Sequence, residues 1–224
     1  MARPGPARGR IRFTRKDRSV SERIEETGTS GPGWATDKAL GWLLTLTGLV
    51  GWGASATLVW ERLNLYENPL HRTSCDVNPL VSCGTVMQTP QAELFGFPNP
   101  LIGIVGYALV VAFGVALLGG AHFSRWLWAC IWVGVALAGV FLIWLWSQAL
   151  FEIVKLCIYC MVAWAATIPM FLGLTGALVS RGIFGLSDGV RRFAREWTWV
   201  TVIVVYVAVT ASVLAVFLPK FMAQ

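Results

Sequence analysis

Charge is scarce in this chain. Of its 224 residues, 13% are Asp, Glu, Lys or Arg, about half the roughly 25% of an ordinary soluble domain. The scarcity is concentrated: residues 39–60, 101–121, 126–151, 156–180 and 197–218 carry no charged side chain. Each run reaches the ~20 residues that cross ~30 Å of hydrocarbon as a helix. Polar–apolar alternation is missing from these runs, which excludes barrel strands. A bilayer core admits only barrels and helices, because it offers backbone groups no water. The sequence therefore predicts an all-α integral membrane protein with five transmembrane helices.

Two other absences narrow the chemistry. Histidine occurs only as His71 and His122. A four-ligand zinc site draws on Cys and His, so one here would consume most of the cysteines. No Gly-rich loop follows a strand, which argues against a nucleotide or flavin site of the dinucleotide-binding kind.

The charge that is present is one-sided. The net charge is +6. Only Arg62, Arg72, Lys155 and Lys220 fall on one side of the five predicted crossings, and every other Lys and Arg falls on the other. Cytoplasmic loops are the basic ones. The amino terminus is thus expected in the cytoplasm and the carboxyl terminus outside, in a multi-pass protein of the cell inner or plasma membrane. The basic tail fits contact with anionic membrane lipid better than nucleic acid. The first apolar run is too long for the h-region of a signal peptide and continues past Ala54-Ser55-Ala56, so it is read as a retained helix.

Three regions follow: a disordered basic cytoplasmic tail, 1–36; a transmembrane domain, 37–218, with a lid loop, 61–100; and a short outside tail, 219–224. The first helix is expected over 37–60. In the lid, Ser82 is placed to cap a short helix to about Gln88. Apolar residues such as Leu80, Met87, Leu94 and Phe95 predict that this loop folds back over the bundle. The second helix is expected from Pro100, with Gly103 and Gly106 allowing close helix approach. The fourth begins near Leu156 with a kink at Pro169, and an inside loop, 181–196, leads to the fifth.

Four of the five cysteines fall on the outside face of this topology, where disulfides persist. Cys75 and Cys83 lie in the lid loop. Cys157 and Cys160 form a Cys-Ile-Tyr-Cys motif at a helix start, a spacing that a disulfide can bridge. A helix amino terminus favours the thiolate, which makes Cys157 the sulfur for exchange and leaves Cys160 deeper, toward a lipid-soluble partner. Static disulfide staples and a zinc half-site are the competing readings of the isolated pairs. Cys130, within the third helix, is expected to be a packing residue. Disulfide formation needs an electron sink, and a dissolved quinone suits a buried dithiol. Asn99 is the polar candidate for its pocket, with helix capping as the alternative role. Met87 and Trp164 are candidate apolar walls.

Cys75-Asp76, Ser82-Cys83, Phe95-Gly96-Phe97-Pro98-Asn99, Gly103, Tyr107 and the Cys157–Cys160 motif, in this order, resemble the vitamin K epoxide reductase family, above all its bacterial disulfide-forming members, over about 37–218. The resemblance implies a four-helix bundle around a quinone (menaquinone, ubiquinone or related), here with a fifth helix. It implies that Cys75 meets a thioredoxin-like (DsbA-like) protein, that Cys83 exchanges with Cys157, and that Cys160 faces the quinone. Asn99 corresponds to the family's quinone-contacting asparagine. Gln91 and Trp164 depart from the aromatic residue and the tyrosine found at those positions in other members. Many bacterial relatives carry a fused thioredoxin-like domain; this chain is expected to use a separate partner and to draw on the membrane quinone pool. The implied activity is a quinone-dependent oxidation of that partner. A thiol-driven reductase of vitamin K quinone or its epoxide, and a non-catalytic membrane protein with structural disulfides, are the alternatives.

Overall fold

The structure, a computed structural model, describes residues 33–222. Most of the expected basic tail and the end of the outside tail lie outside the described residues. The helices are α1 (Asp37–Glu67), α2 (Cys83–Met87), α3 (Pro100–Leu118), α4 (Arg125–Ser147), α5 (Ile158–Ser180) and α6 (Asp188–Met222). Short 3-10 turns occupy Gly33–Ala35 and Pro90–Glu93, and a π turn, Gln148–Glu152, extends α4. Apart from two isolated bridges, no strand pairing occurs among the described residues. Among the described residues, five helices are long and apolar enough to cross a membrane: α1, α3, α4 with its extension, α5 and α6.

Local chemistry starts these helices where the sequence predicts. Thr36 caps α1, its hydroxyl accepting the Ala39 N–H at 3.2 Å. Ser82 caps α2 through the Thr85 N–H at 3.1 Å. Pro100 opens α3, where its missing N–H costs nothing. Two helices outrun their apolar cores. α1 continues past Trp60 to Glu67, and α6 starts at Asp188, so half of the expected inside loop is helical. Charge marks where hydrocarbon ends, not where a helix must. α5 starts at Ile158, with Cys157 as its N-cap.

α1 packs against α3 through small residues. A Cβ on Gly114 would lie 2.6 Å from Thr45 Oγ1, and one on Gly103 would overlap Ser55, so the two backbones approach closely. Gly106 differs from expectation: a Cβ there meets nothing within 4 Å, because it faces a cavity. Away from the lid, Leu40, Leu44, Leu117, Leu174 and Leu178 form a fully buried core with Phe113 and Trp128. Arg181 closes that end by reaching Asp37 at 2.7 Å. α6 lies outside the bundle against α5, where Thr198 sits over Gly176. Near the lid, Phe217 of α6 joins Leu80, Leu150 and Leu156.

Candidate active site

The segment between α1 and α3 folds over one end of the bundle and carries the first cysteine pair. Its shape is set by Asp76, which accepts the Thr73 N–H at 2.8 Å, the Ser82 hydroxyl at 2.7 Å and the Gly84 N–H at 3.1 Å. Burial pushes the Asp76 carboxyl up, but the hydrogen bonds from Ser82, Thr73 and Gly84 outweigh it and hold the group below the usual carboxylate range. This knot folds 73–84 back on itself. Cys75 and Cys83 are joined in a disulfide with a Cα–Cα separation of 5.6 Å.

A short parallel pairing then brings the second pair to the first. Val81 bridges Leu156: the Ser82 N–H donates to Leu156 O at 3.0 Å, and the Leu156 N–H donates to Leu80 O at 2.8 Å. Lys155 Nζ donates to Pro79 O. Cys83 and Cys157 each follow this pairing directly, and Cys157 Sγ lies 3.2 Å from Cys83 Sγ. The sulfurs of Cys75, Cys83 and Cys157 all lie within 4.8 Å of one another. They are exposed by 2%, 0% and 3%, enclosed by Leu58, Leu65 and Met87. The Cys160 N–H donates to Cys157 Sγ at 3.4 Å, so this sulfur serves as the N-cap acceptor of α5. Three sulfurs also have the ligand number of a metal centre. Two of them are bonded to each other, however, and a disulfide sulfur is not the thiolate that zinc takes.

The turn that delivers Cys157 is unusual. Val154 has φ 51°, a left-handed conformation that a β-branched residue rarely adopts. It lies between the π turn and Leu156, and its side chain packs with the Phe217 cluster.

Beneath the sulfurs lies a cavity of about 630 Å³, lined by α1, α3, α4, α5 and the lid. Of its polar lining, Arg62, Gln91 and Asn99 sit at the thiol end and Tyr107 and Thr167 midway, roughly 10 Å along α5 from Cys160; beyond are Val110, Ile131, Val135 and Met170. Tyr107 is tied across the bundle to Thr167 at 2.7 Å. The cavity is deep. Cys130 lines it, and nearby Trp132 donates to Thr175 Oγ1 at 2.8 Å, roughly 22 Å along α5 from Cys160 at 1.5 Å per residue. Exposed Leu109 and Leu137 also line it, so it opens sideways between α3 and α4.

Met87, Trp164 and Asn99 all line this cavity, as do Cys157 and Cys160. Two expectations are corrected. Asn99 does not cap α3 with its side chain. Its amide instead donates to Gln91 O at 2.7 Å and accepts the Leu94 N–H at 3.2 Å, which fixes the cavity roof. Cys130 is exposed rather than packed. The sequence assigns no positioning role to Glu61, Arg62 or Asp76. Arg62 ties α1 to the lid through Met87 O at 2.6 Å and an ion pair with Glu93. Their only sequence signal is charge immediately past an uncharged run or beside a cysteine.

The model of the vitamin K epoxide reductase family matches residues 42–175, more than half of the chain and inclusive of both cysteine pairs. The chain belongs to that family. No curated protein matches it.

Proposed function

We propose that this member of the vitamin K epoxide reductase family oxidises the dithiol of a separate extracytoplasmic thioredoxin-like protein and delivers the electrons to a membrane quinone. The observation that carries this reading is the 3.2 Å approach of Cys157 Sγ to a sulfur of the Cys75–Cys83 disulfide, directly above an apolar cavity that Cys160 lines.

The sulfur steps balance. A partner thiolate attacks Cys75, breaking the Cys75–Cys83 bond and leaving a Cys83 thiolate. Cys83 attacks Cys157 of a Cys157–Cys160 disulfide, and Cys160 leaves as a thiolate. The partner's second thiolate resolves its bond to Cys75, so the partner departs oxidised. The freed Cys75 thiolate then attacks Cys83, re-forming the loop disulfide and releasing Cys157. Two electrons and two protons have moved from the partner to Cys157 and Cys160. The arrangement with the loop pair joined and Cys157 and Cys160 unjoined is the state this transfer produces. A quinone supplies the two-electron, two-proton acceptor that lets Cys157 and Cys160 join again.

The cavity supports the choice of acceptor. Its volume lies in the usual range for small-molecule sites. Polar groups over the half nearer the thiols and an apolar remainder suit a molecule with a polar ring and a greasy tail. Asn99, committed to Gln91 and Leu94, acts on such a ring by holding the roof. The orientation with the cysteines outside rests on the basic residues: Lys38, Arg125, Arg181, Arg191, Arg192 and Arg195 gather at the other end of the described helices.

The test is turnover of purified protein in lipid nanodiscs with a reduced thioredoxin-like protein and a quinone. One quinone should be consumed per dithiol oxidised, and Cys160→Ala should abolish consumption. Reduction of vitamin K epoxide in place of quinone would overturn the proposed direction.

A further inference from the structure

We propose that Glu61, Ser74 and Tyr159 form a catch that keeps Cys75 beside Cys83 and so drives the internal exchange to completion; the proposal rests on the relay described above.

Ser74 immediately precedes Cys75. Its N–H donates to Glu61 Oε1 at 3.1 Å, and its hydroxyl pairs with the Tyr159 hydroxyl at 2.8 Å. Tyr159 lies between Cys157 and Cys160. One residue beside the first loop cysteine is therefore tied both to α1 and to the second cysteine motif. Glu61 is only 6% exposed, and buried carboxylates are costly unless partnered. Its partners are Ser74 and, at 3.3 Å, His71 Nε2, both in the lid. Leu58 and Leu65, one turn to either side along α1, pack on the sulfur cluster.

These contacts are not needed to shape the loop or to bring Cys83 to Cys157. Asp76 already knots 73–84, and the pairing of Leu80 and Ser82 with Leu156 already attaches the Cys83 side. What Glu61 and Tyr159 add is a hold on the Cys75 side. In the exchange, Cys75 must leave Cys83 and later return to it. A catch that stabilises the joined loop disulfide favours the return, which frees Cys157 and completes the transfer. The three are positioning residues, acting through the backbone around Cys75.

The test uses Cys160→Ala, in which the Cys157 thiolate displaces Cys75 from Cys83 and a Cys83–Cys157 disulfide accumulates against a Cys75 thiol. Ser74→Ala or Tyr159→Phe in that background should raise the ratio of the Cys83–Cys157 to the Cys75–Cys83 disulfide roughly two- to tenfold, the weight of one hydrogen bond. The double variant should exceed neither single one, because both remove the same contact. Glu61→Ala should act in the same direction, and Glu61→Gln, which still accepts the Ser74 N–H, should act less. A merely structural role would part Cys83 from Cys157 and lower the fraction. An unchanged or lowered fraction, or additive single effects, overturns the catch alone. If no Cys83–Cys157 bond forms in Cys160→Ala, either alone or together with Ser74→Ala or Tyr159→Phe, the relay falls and the catch with it.

Discussion

The two ends of the bundle are built by opposite rules. Away from the lid, Leu40, Leu44, Leu174 and Leu178 are wholly buried with aromatic neighbours; this end gains its stability by packing. At the lid end, buried Glu61, Thr73 and Asn99 are held by hydrogen bonds, and Val154 sits in a strained conformation. The far end also buries hydroxyls, at Thr45, Ser180 and Thr198, but the costlier buried carboxylate of Glu61, the Asn99 amide and the strain at Val154 all lie around the four cysteines, which marks the end where geometry matters more than stability. One end holds the helices together while the other holds sulfur atoms at exchange distance.

Substitutions should separate the two ends, and the largest effect is expected at the sulfurs. Cys157→Ala, which leaves the loop disulfide in place, should abolish electron transfer from a thioredoxin-like dithiol while leaving the helical circular dichroism and thermal transition close to those of the parent. Leu174→Ala, at the other end, should do the reverse: a loss of about 2–5 kcal/mol of stability from the cavity it leaves, with normal turnover per folded molecule. If Leu174→Ala alters turnover per folded molecule as strongly as a cysteine variant does, the division of labour is wrong.

Asp76 sharpens the comparison through pH. Its carboxyl is held below the usual range by hydrogen bonds to its ionised form. Its contribution is therefore fully present above the unfolded value of about 3.9 and is lost as pH falls through the lower folded value. Asp76→Asn should lower the melting temperature at neutral pH, and the difference should vanish in strong acid. A difference that persists there would show that the carboxylate charge is not what holds the loop.

The smallest expected effect concerns the groove that joins the two ends. Cys130 is exposed and lines its far part. A quinone bearing a long isoprenoid tail should slow maleimide labelling of Cys130 severalfold, and the same ring without a tail should not. Equal labelling in both would confine the acceptor to the thiol end.

The crossings were legible because hydrocarbon excludes charge; the uncharged run 101–121 became α3, Pro100–Leu118. The meeting of the two cysteine pairs followed from counting crossings. What stayed hidden depends on partners distant in sequence. The side chain of Asn99 turns from its own helix to Gln91 and Leu94, and Glu61 reaches Ser74 across the loop. Nothing local predicts either contact. Gly106 and Cys130 read as packing positions because a helix pattern does not distinguish a neighbouring helix from a cavity. The end of α1 and the start of α6 lie beyond the uncharged runs because helices continue past the bilayer whenever their exposed turns remain satisfied.

In the proposed relay, electron transfer enters at the loop pair and comes to rest on the motif pair before leaving. This route is tested most directly by mixing the oxidised protein, without oxygen or quinone, with less than one equivalent of a reduced thioredoxin-like protein, and then mapping free thiols by mass spectrometry before and after quinone is added. Thiols are expected on Cys157 and Cys160 and should disappear with quinone, while Cys75 and Cys83 stay joined. Thiols that remain on Cys75 and Cys83, untouched by quinone, would contradict the relay.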